Sequence, residues 1–234
     1  MESLHGIIND INSFLWTYVI IIALIGSGIV FTLRTKFVQL RMLGEMFKLM
    51  FKTAGSKTEG KEVSAFQAFC VSTASRVGVG NIAGVAIAIV TGGPGAVFWM
   101  WLIAFIGSAT GFVESTLAQI YKLPREGGLF HGGPAYYMKN ALGQTGLAKW
   151  FAILISVTFG WIYVSVQKNT IAQSVETAFG IGQNVTAFVV AILAGIVIFG
   201  GATRIAKFTE IIVPVMAGIY LLSALIIVFI NINK

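Results

Sequence analysis

Residues 69–86 read FCVSTASRVGVGNIAGVA, an apolar stretch that a continuous helix should not accept. Gly78, Gly80 and Gly84 fall within it, and a helix-interior glycine costs about 1 kcal/mol relative to alanine. Ser72, Thr73 and Ser75 add small polar groups just ahead of Arg76. Lipid cannot satisfy freed backbone groups, so an unwound stretch within a membrane span survives only where it lines a cavity or is buried in protein. Freed N–H groups and the positive end of the following half-helix can bind a carboxylate, and freed carbonyls ahead of the break can coordinate Na⁺. This arrangement suits a cation-coupled carrier of a small zwitterion. The competing reading is packing, because Gly80-Asn-Ile-Ala-Gly84 and Gly107-Ser-Ala-Thr-Gly111 both match GxxxG, which lets helices approach closely with no binding role.

The rest of the chain supports the membrane setting. Of 234 residues 56% are hydrophobic and only 11% charged, against roughly 25% charged in an average soluble domain. The mean hydropathy is +0.86. There is no G-X-Y period and no sustained heptad, and the single cysteine, Cys70, is a small apolar filler rather than part of a disulfide framework. An all-α integral membrane protein remains.

A transmembrane helix needs about 20 predominantly apolar residues. Six such spans are expected, at about Phe14–Leu33, Val63–Val90, Ala96–Ile120, Trp150 to beyond Val166, Val185–Phe199 and Ile211–Ile230. The first lacks a basic n-region and a small-residue cleavage site, so it reads as a retained helix. Arg34, Lys36, Arg41, Lys48, Lys52, Lys57 and Lys61 separate spans one and two. Lys122, Arg125, Lys139 and Lys149 separate three and four, and Arg204 and Lys207 separate five and six. Thirteen of the 16 Lys and Arg therefore fall on alternate loops, which the positive-inside rule places in the cytoplasm with both termini external. The formal charge of +7 thus orients the chain in a membrane and does not point to nucleic acid.

Phe37, Leu40, Leu43, Phe47 and Met50 recur at helical spacing and predict a basic amphipathic helix lying along the inner leaflet, or covering other loops. Pro134 and Gly143 bracket a short helix, AYYMKNAL. Arg76 lies roughly 20 Å, and Glu114 roughly 10 Å, from the cytoplasmic side at 1.5 Å per residue. Intramembrane charges are functional candidates. The two could form an inner-gate or structural salt bridge; equally, Arg76 could cap the carbonyls of the inner half-helix. Lys168 snorkels to the interface. Enzyme signatures are nearly absent: no HExxH, GxSxG, P-loop or Cys/His ligand spacing occurs. Ser165-Val-Gln-Lys168 matches S-x-x-K only by a spacing common by chance.

Residues 92–107, GGPGAVFWMWLIAFIG, closely resemble the signature of the alanine or glycine:cation symporter family, the sodium:alanine symporters. Residues 76–86 and the GGPAYY of 132–137 resemble further blocks of that family, in order. Gly-Gly-Pro-Gly makes an external turn, and Trp99 and Trp101 follow at the aromatic belt. The resemblance implies Na⁺-coupled uptake of alanine or glycine across a prokaryotic cytoplasmic membrane, with no cofactor beyond the coupling ion and with lipid as the surrounding partner. It also implies a five-plus-five inverted-repeat fold with one extra helix in front. Residues 1–62 would be the extra helix plus the amphipathic segment, and residues 63–234 the first repeat.

Carried over by position, the substrate site takes in Thr73, Gly78, Val79, Gly80 and Asn81. The N–H groups of Val79 and Gly80 would hold the carboxylate, and Thr73 and Asn81 would supply polar side chains. The carbonyls of Ala74 and Val77 would face the sodium, and Gln167 and Asn169 on span four resemble polar positions facing the site. Where the family usually carries G-T-G-N-I this chain has Val79, which keeps the backbone donor and lacks the hydroxyl. Family members are about twice as long, so a truncated half is expected, with a second repeat as its missing partner. The alternative is a non-transporting orphan repeat that associates with or regulates a full-length carrier. Two antiparallel copies would rebuild the inverted fold, but the one-sided basic loops oppose dual topology.

Overall fold

The computed structural model describes residues 2–53, 63–125 and 129–232. Lys57 and Lys61 of the first basic segment, and the terminal Lys234, lie outside the described residues. In chain order the elements are α1 (His5–Arg34), α2 (Val38–Arg41), α3 (Leu43–Thr53), α4 (Ala65–Arg76), α5 (Val79–Gly92) and α6 (Gly95–Ile120). A two-stranded sheet, β1 (Leu123–Arg125) with β2 (Leu129–His131), precedes α7 (Pro134–Asn140), α8 (Thr145–Phe179), α9 (Gln183–Ile198) and α10 (Gly201–Ile230). Single π-helical stretches, Leu15–Ile20 and Thr158–Tyr163, interrupt α1 and α8.

Among the described residues α1, α6, α8 and α10 are each long and apolar enough to cross a membrane, and α4 with α5 adds a fifth crossing if the bent pair counts as one. The fifth expected span is present as α9, an apolar helix of 16 residues, short of the roughly 20 that a full crossing takes. The break is where the glycines place it. Helix α4 stops at Arg76, Val77 is extended at φ −87° and ψ 102°, and α5 leaves at 51° to α4.

The amphipathic segment is not one helix. Lys36 and Phe37 both stand in the left-handed region, at φ 55° and 53°, so the chain turns sharply after α1. Val38, at 3% exposure, is buried in the single turn of α2. The basic amphipathic helix proper is α3. The short helix of the next loop forms as expected, and the two-stranded sheet before it is a feature that the loop composition did not disclose.

The described chain divides into two compact units. One holds the residues up to Met46 with Ile87–Arg125 and Phe130–Phe151; the other holds Phe47–Ala86 and the chain from Ala152 onward. In the first, α1 and α6 pack through small residues. A Cβ on Gly28 would stand 2.5 Å from Ile106 Cγ2 and 3.0 Å from the Ile106 carbonyl oxygen, Leu24 Cδ2 lies 3.8 Å from the corresponding point on Gly107, and Ala109 is fully buried. The GxxxG at 107–111 thus lies in a helix–helix contact. Gly28→Ala is expected to destabilise the chain by about 1–3 kcal/mol, the usual penalty of overpacking, because the Ile106 backbone cannot rotate away. Gly26→Ala, whose Cβ meets nothing within 4 Å, should leave the melting temperature in detergent unchanged.

In the second unit α4 lies against α10. Ser64 caps α4 in a capping box with Gln67 (Gln67 N–H to Ser64 Oγ 3.1 Å, Ser64 N–H to Gln67 Oε1 3.2 Å). The Gln67 amide then donates to Glu210 Oε2 at 2.8 Å, and Cys70 one turn on is fully buried. Thr53 Oγ1 accepts the Phe66 N–H at 3.1 Å. The first half of the broken span is therefore anchored at its base by polar bonds.

Candidate site at the helix break

The site is built from residues 73–81 and one side chain of α8, all within the second unit. Val77 N–H still closes the last turn of α4 onto the Thr73 carbonyl at 2.8 Å. Beyond that point the ladder fails. The Asn81 side-chain amide reaches back across the break and donates to the Arg76 carbonyl, so Asn81 caps α4 from the first turn of α5. The carbonyls of Ala74 and Val77 receive none of the hydrogen bonds recorded at the break among the described residues. Unbonded carbonyls at a helix C-terminus form a locally negative end.

On the other side α5 starts with its positive end at the break. The Gly78 carbonyl accepts Asn81 N–H at 3.0 Å and Ile82 N–H at 3.3 Å, which leaves the N–H groups of Val79 and Gly80 as the leading donors. The Val79 N–H is taken by Gln167 Oε1 at 3.2 Å. Gly78 makes that approach possible: a Cβ there would stand 2.5 Å from Gln167 Nε2. A Cβ on Gly80 or Gly84 would meet nothing within 4 Å, so the GxxxG at 80–84 has no packing partner among the described residues.

The geometry thus brings together Thr73, Ala74, Arg76, Val77, Gly78, Val79, Gly80, Asn81 and Gln167. Asn169, two residues beyond Gln167 and so on another face of α8, is exposed. The Arg76 side chain is exposed, and the carbonyl of its own helix end is capped by Asn81 instead of by a guanidinium. Glu114 lies in the first unit, where it and burial together raise the Tyr137 phenol above the ordinary tyrosine value, burial being the larger cause. Following Gln167 at spacings of three and seven, Thr170 and Ser174 continue one face of α8. They line an open polar cavity of ≈ 600 Å³ with Gln173, Glu176 and Gln183. Neither this lane nor the Gln67–Glu210 bond figured among the sequence candidates, although S-x-x-Q at 64–67 and the hydroxyl spacing along α8 carry the signal.

Gly78→Ala should leave the fold intact, because the displaced atom is the far end of a flexible side chain. It should nonetheless expel Gln167 from Val79. Gly78→Ala and Gln167→Ala are therefore expected to change ligand affinity by the same factor, with the double variant no worse than either single one. Full additivity in that cycle would show that the two residues act separately.

The Sodium:alanine symporter family matches residues 1–234. The chain is 53% identical over 235 residues to the amino-acid carrier protein AlsT of Bacillus subtilis, covering 100% of this chain and 49% of the relative. It is 48% identical to a probable sodium/glutamine symporter, GlnT, of the same organism, covering 100% of this chain and 48% of that protein. To the sodium/alanine symporter AgcS of Methanococcus maripaludis it is 41% identical, over 97% of this chain and 51% of that protein. The chain spans about half the length of these relatives. All three are named as carriers or symporters rather than enzymes.

Proposed function

The chain belongs to the sodium:alanine symporter family, and from that premise we propose that it supplies the broken-helix half of a sodium-coupled symporter for a small neutral amino acid, alanine or glycine. It is a multi-pass membrane protein by its apolar helices and its family. The observation that carries the reading is the break at Val77–Gly78, which presents two oppositely polarised helix ends a few residues apart. A zwitterion's carboxylate would take the N–H groups of Val79 and Gly80, displacing Gln167 from the first of them. Thr73 and Asn81 would meet its remaining polar edge, and Asn169 would join only where a facing element turns it toward the site. The Ala74 and Val77 carbonyls suit Na⁺, a cation that unwound transporter helices coordinate through backbone oxygens.

Around that site we place the first repeat, residues 63–234, of a five-plus-five fold, with residues 1–62 as the extra helix and α3 against the inner leaflet. The basic loops face the cytoplasm of a prokaryote, both ends of this chain lie outside, and Arg76 keeps a gating or structural role at the break. A second repeat, equivalent to the other half of the relatives, completes the sodium shell and the pocket wall that measures the side chain. Relatives named for alanine and for glutamine support an amino-acid cargo. The small-substrate assignment rests on the resemblance of residues 76–86 and 92–107.

The test joins residues 1–234 to the corresponding second half of AlsT and measures radiolabelled uptake into proteoliposomes. An imposed Na⁺ gradient should drive alanine or glycine uptake several-fold above a K⁺ control. A folded chimera whose uptake ignores Na⁺ would sink the proposal.

A further inference from the structure

The end of α1 carries a second built feature, separate from the break. The helix closes in a Schellman arrangement: Phe37 N–H donates to the Thr32 carbonyl at 2.8 Å and Lys36 N–H to the Leu33 carbonyl at 3.1 Å. The residue at the left-handed position of this motif is usually glycine, yet here it is Lys36, and the next residue, Phe37, is left-handed as well. Gln39 Nε2 ties the following turn back to Thr32 Oγ1 at 3.1 Å, and Val38 is buried. This strained turn brings Arg34, Lys36 and Arg41 around one cavity of ≈ 410 Å³, floored by Val38, Met42 and Phe112. Arg41 Nη2 approaches the Thr35 carbonyl at 3.5 Å, which holds the guanidinium on the rim.

Cations at a helix C-terminus interact favourably with its dipole, and that accounts for Arg34, in the last turn. It does not account for Lys36 and Arg41, which lie beyond the helix end, nor for an L-residue held in a glycine conformation. Strained backbone of this kind persists where the surroundings over-determine it, and it clusters at ligand clamps. Three positive side chains on one cavity repel unless an anion stands among them, and no acidic residue lines it. The apolar floor suits a ligand with a hydrocarbon end. Arg34 closes an apolar membrane-crossing helix, so the cavity opens at the level where phosphate headgroups lie.

We infer that Arg34, Lys36 and Arg41 form a binding site for the phosphodiester headgroup of an anionic phospholipid, with its glycerol and upper acyl carbons against Val38, Met42 and Phe112. The site fixes the first helix in one leaflet and is independent of the amino-acid site. On the proposed orientation that leaflet is the cytoplasmic one.

The test follows the melting temperature of the purified full chain in a non-ionic detergent. It titrates dihexanoyl phosphatidylglycerol, dihexanoyl phosphatidylcholine or inorganic phosphate. Phosphatidylglycerol should raise the melting temperature saturably and phosphatidylcholine should not. One basic side chain beside an anionic surface is worth roughly fivefold in affinity. Lys36→Gly should therefore weaken the titration about fivefold, and Arg34→Gln with Arg41→Gln more than tenfold. Lys36→Gly is the decisive variant because glycine relaxes the turn: its lipid-free melting temperature should equal or exceed that of the unaltered chain. An unchanged titration in Lys36→Gly, or equal protection by the two phospholipids, overturns the site. Equal protection by inorganic phosphate overturns the lipid as its ligand in favour of a soluble anion.

Discussion

Gly80→Leu abolishes sodium-dependent alanine binding in the AlsT chimera, by at least about a hundredfold in affinity, while the melting temperature of the chain stays where it was. The two halves of that expectation come from one observation. A Cβ at position 80 meets nothing within 4 Å, so a larger side chain there breaks no contact that holds the chain together. Leucine is also a better helix former than glycine by close to 1 kcal/mol, which offsets any local crowding. The open volume that the leucine enters adjoins the first turn of α5, beside which the carboxylate is proposed to sit. Filling it removes two charge-assisted hydrogen bonds, each worth about 1.5–3 kcal/mol, and a loss of that size corresponds to a hundredfold or more. Equilibrium binding of labelled alanine with and without Na⁺, beside a thermal melt, separates the outcomes. Normal binding would mean that the break is structural. Lost binding with a collapsed melting temperature would mean that the open space belongs to a packed element. Asn81→Ala should also impair binding, but with a different signature. It uncaps the Arg76 carbonyl, so a fall in stability of about 1 kcal/mol accompanies the lost affinity.

The break in the second span was legible from residues 69–86 alone, because glycine content and lipid's inability to solvate backbone act locally. The position of the break follows from that short run, whereas the assignment of the Ala74 and Val77 carbonyls came with the family resemblance. The partner of the freed Val79 N–H does not follow from the run. Gln167 is 88 residues away, and only the approach of α8 to α4 and α5 makes it the acceptor. The same holds for Glu210, 143 residues from Gln67. Local pattern also overstated continuity in the segment after α1. The apolar spacing from Phe37 to Met50 is helical, but the burial of Val38 and the turn at Lys36–Phe37 override it. The GxxxG repeats show the limit from the other side: two identical patterns have opposite surroundings, because whether a glycine faces a neighbour is a property of the fold and not of the spacing.

Gln167→Glu should cut sodium-dependent alanine uptake by the same chimera by a hundredfold or more at neutral pH, against a smaller loss for Gln167→Ala. Glutamine and glutamate are nearly isosteric, and the acceptor oxygen at the Val79 N–H is retained. The change therefore adds charge and removes one amide donor while keeping the shape. A carboxylate facing a helix N-terminus is favoured by the dipole and by the unpaired donors there. The glutamate side chain thus occupies the groups that the substrate's carboxylate needs, and it repels that carboxylate as a like charge. The neutral glutamine binds the same N–H more weakly and can be displaced; alanine leaves the N–H free and forfeits only the positioning. The ranking unaltered, then Gln167→Ala, then Gln167→Glu follows when alanine loses only the positioning and glutamate adds competition and repulsion. A purely structural tether produces the reverse order of the two variants, because glutamate preserves the bond that alanine deletes. Acidification gives a further check. Protonating the introduced carboxylate removes the charge, so the Gln167→Glu carrier should recover part of its uptake on acidification. The Gln167→Ala carrier should show no such recovery. A glutamate variant that transports as well as the unaltered protein would remove the carboxylate from the Val79 N–H and move the amino-acid site elsewhere in the carrier.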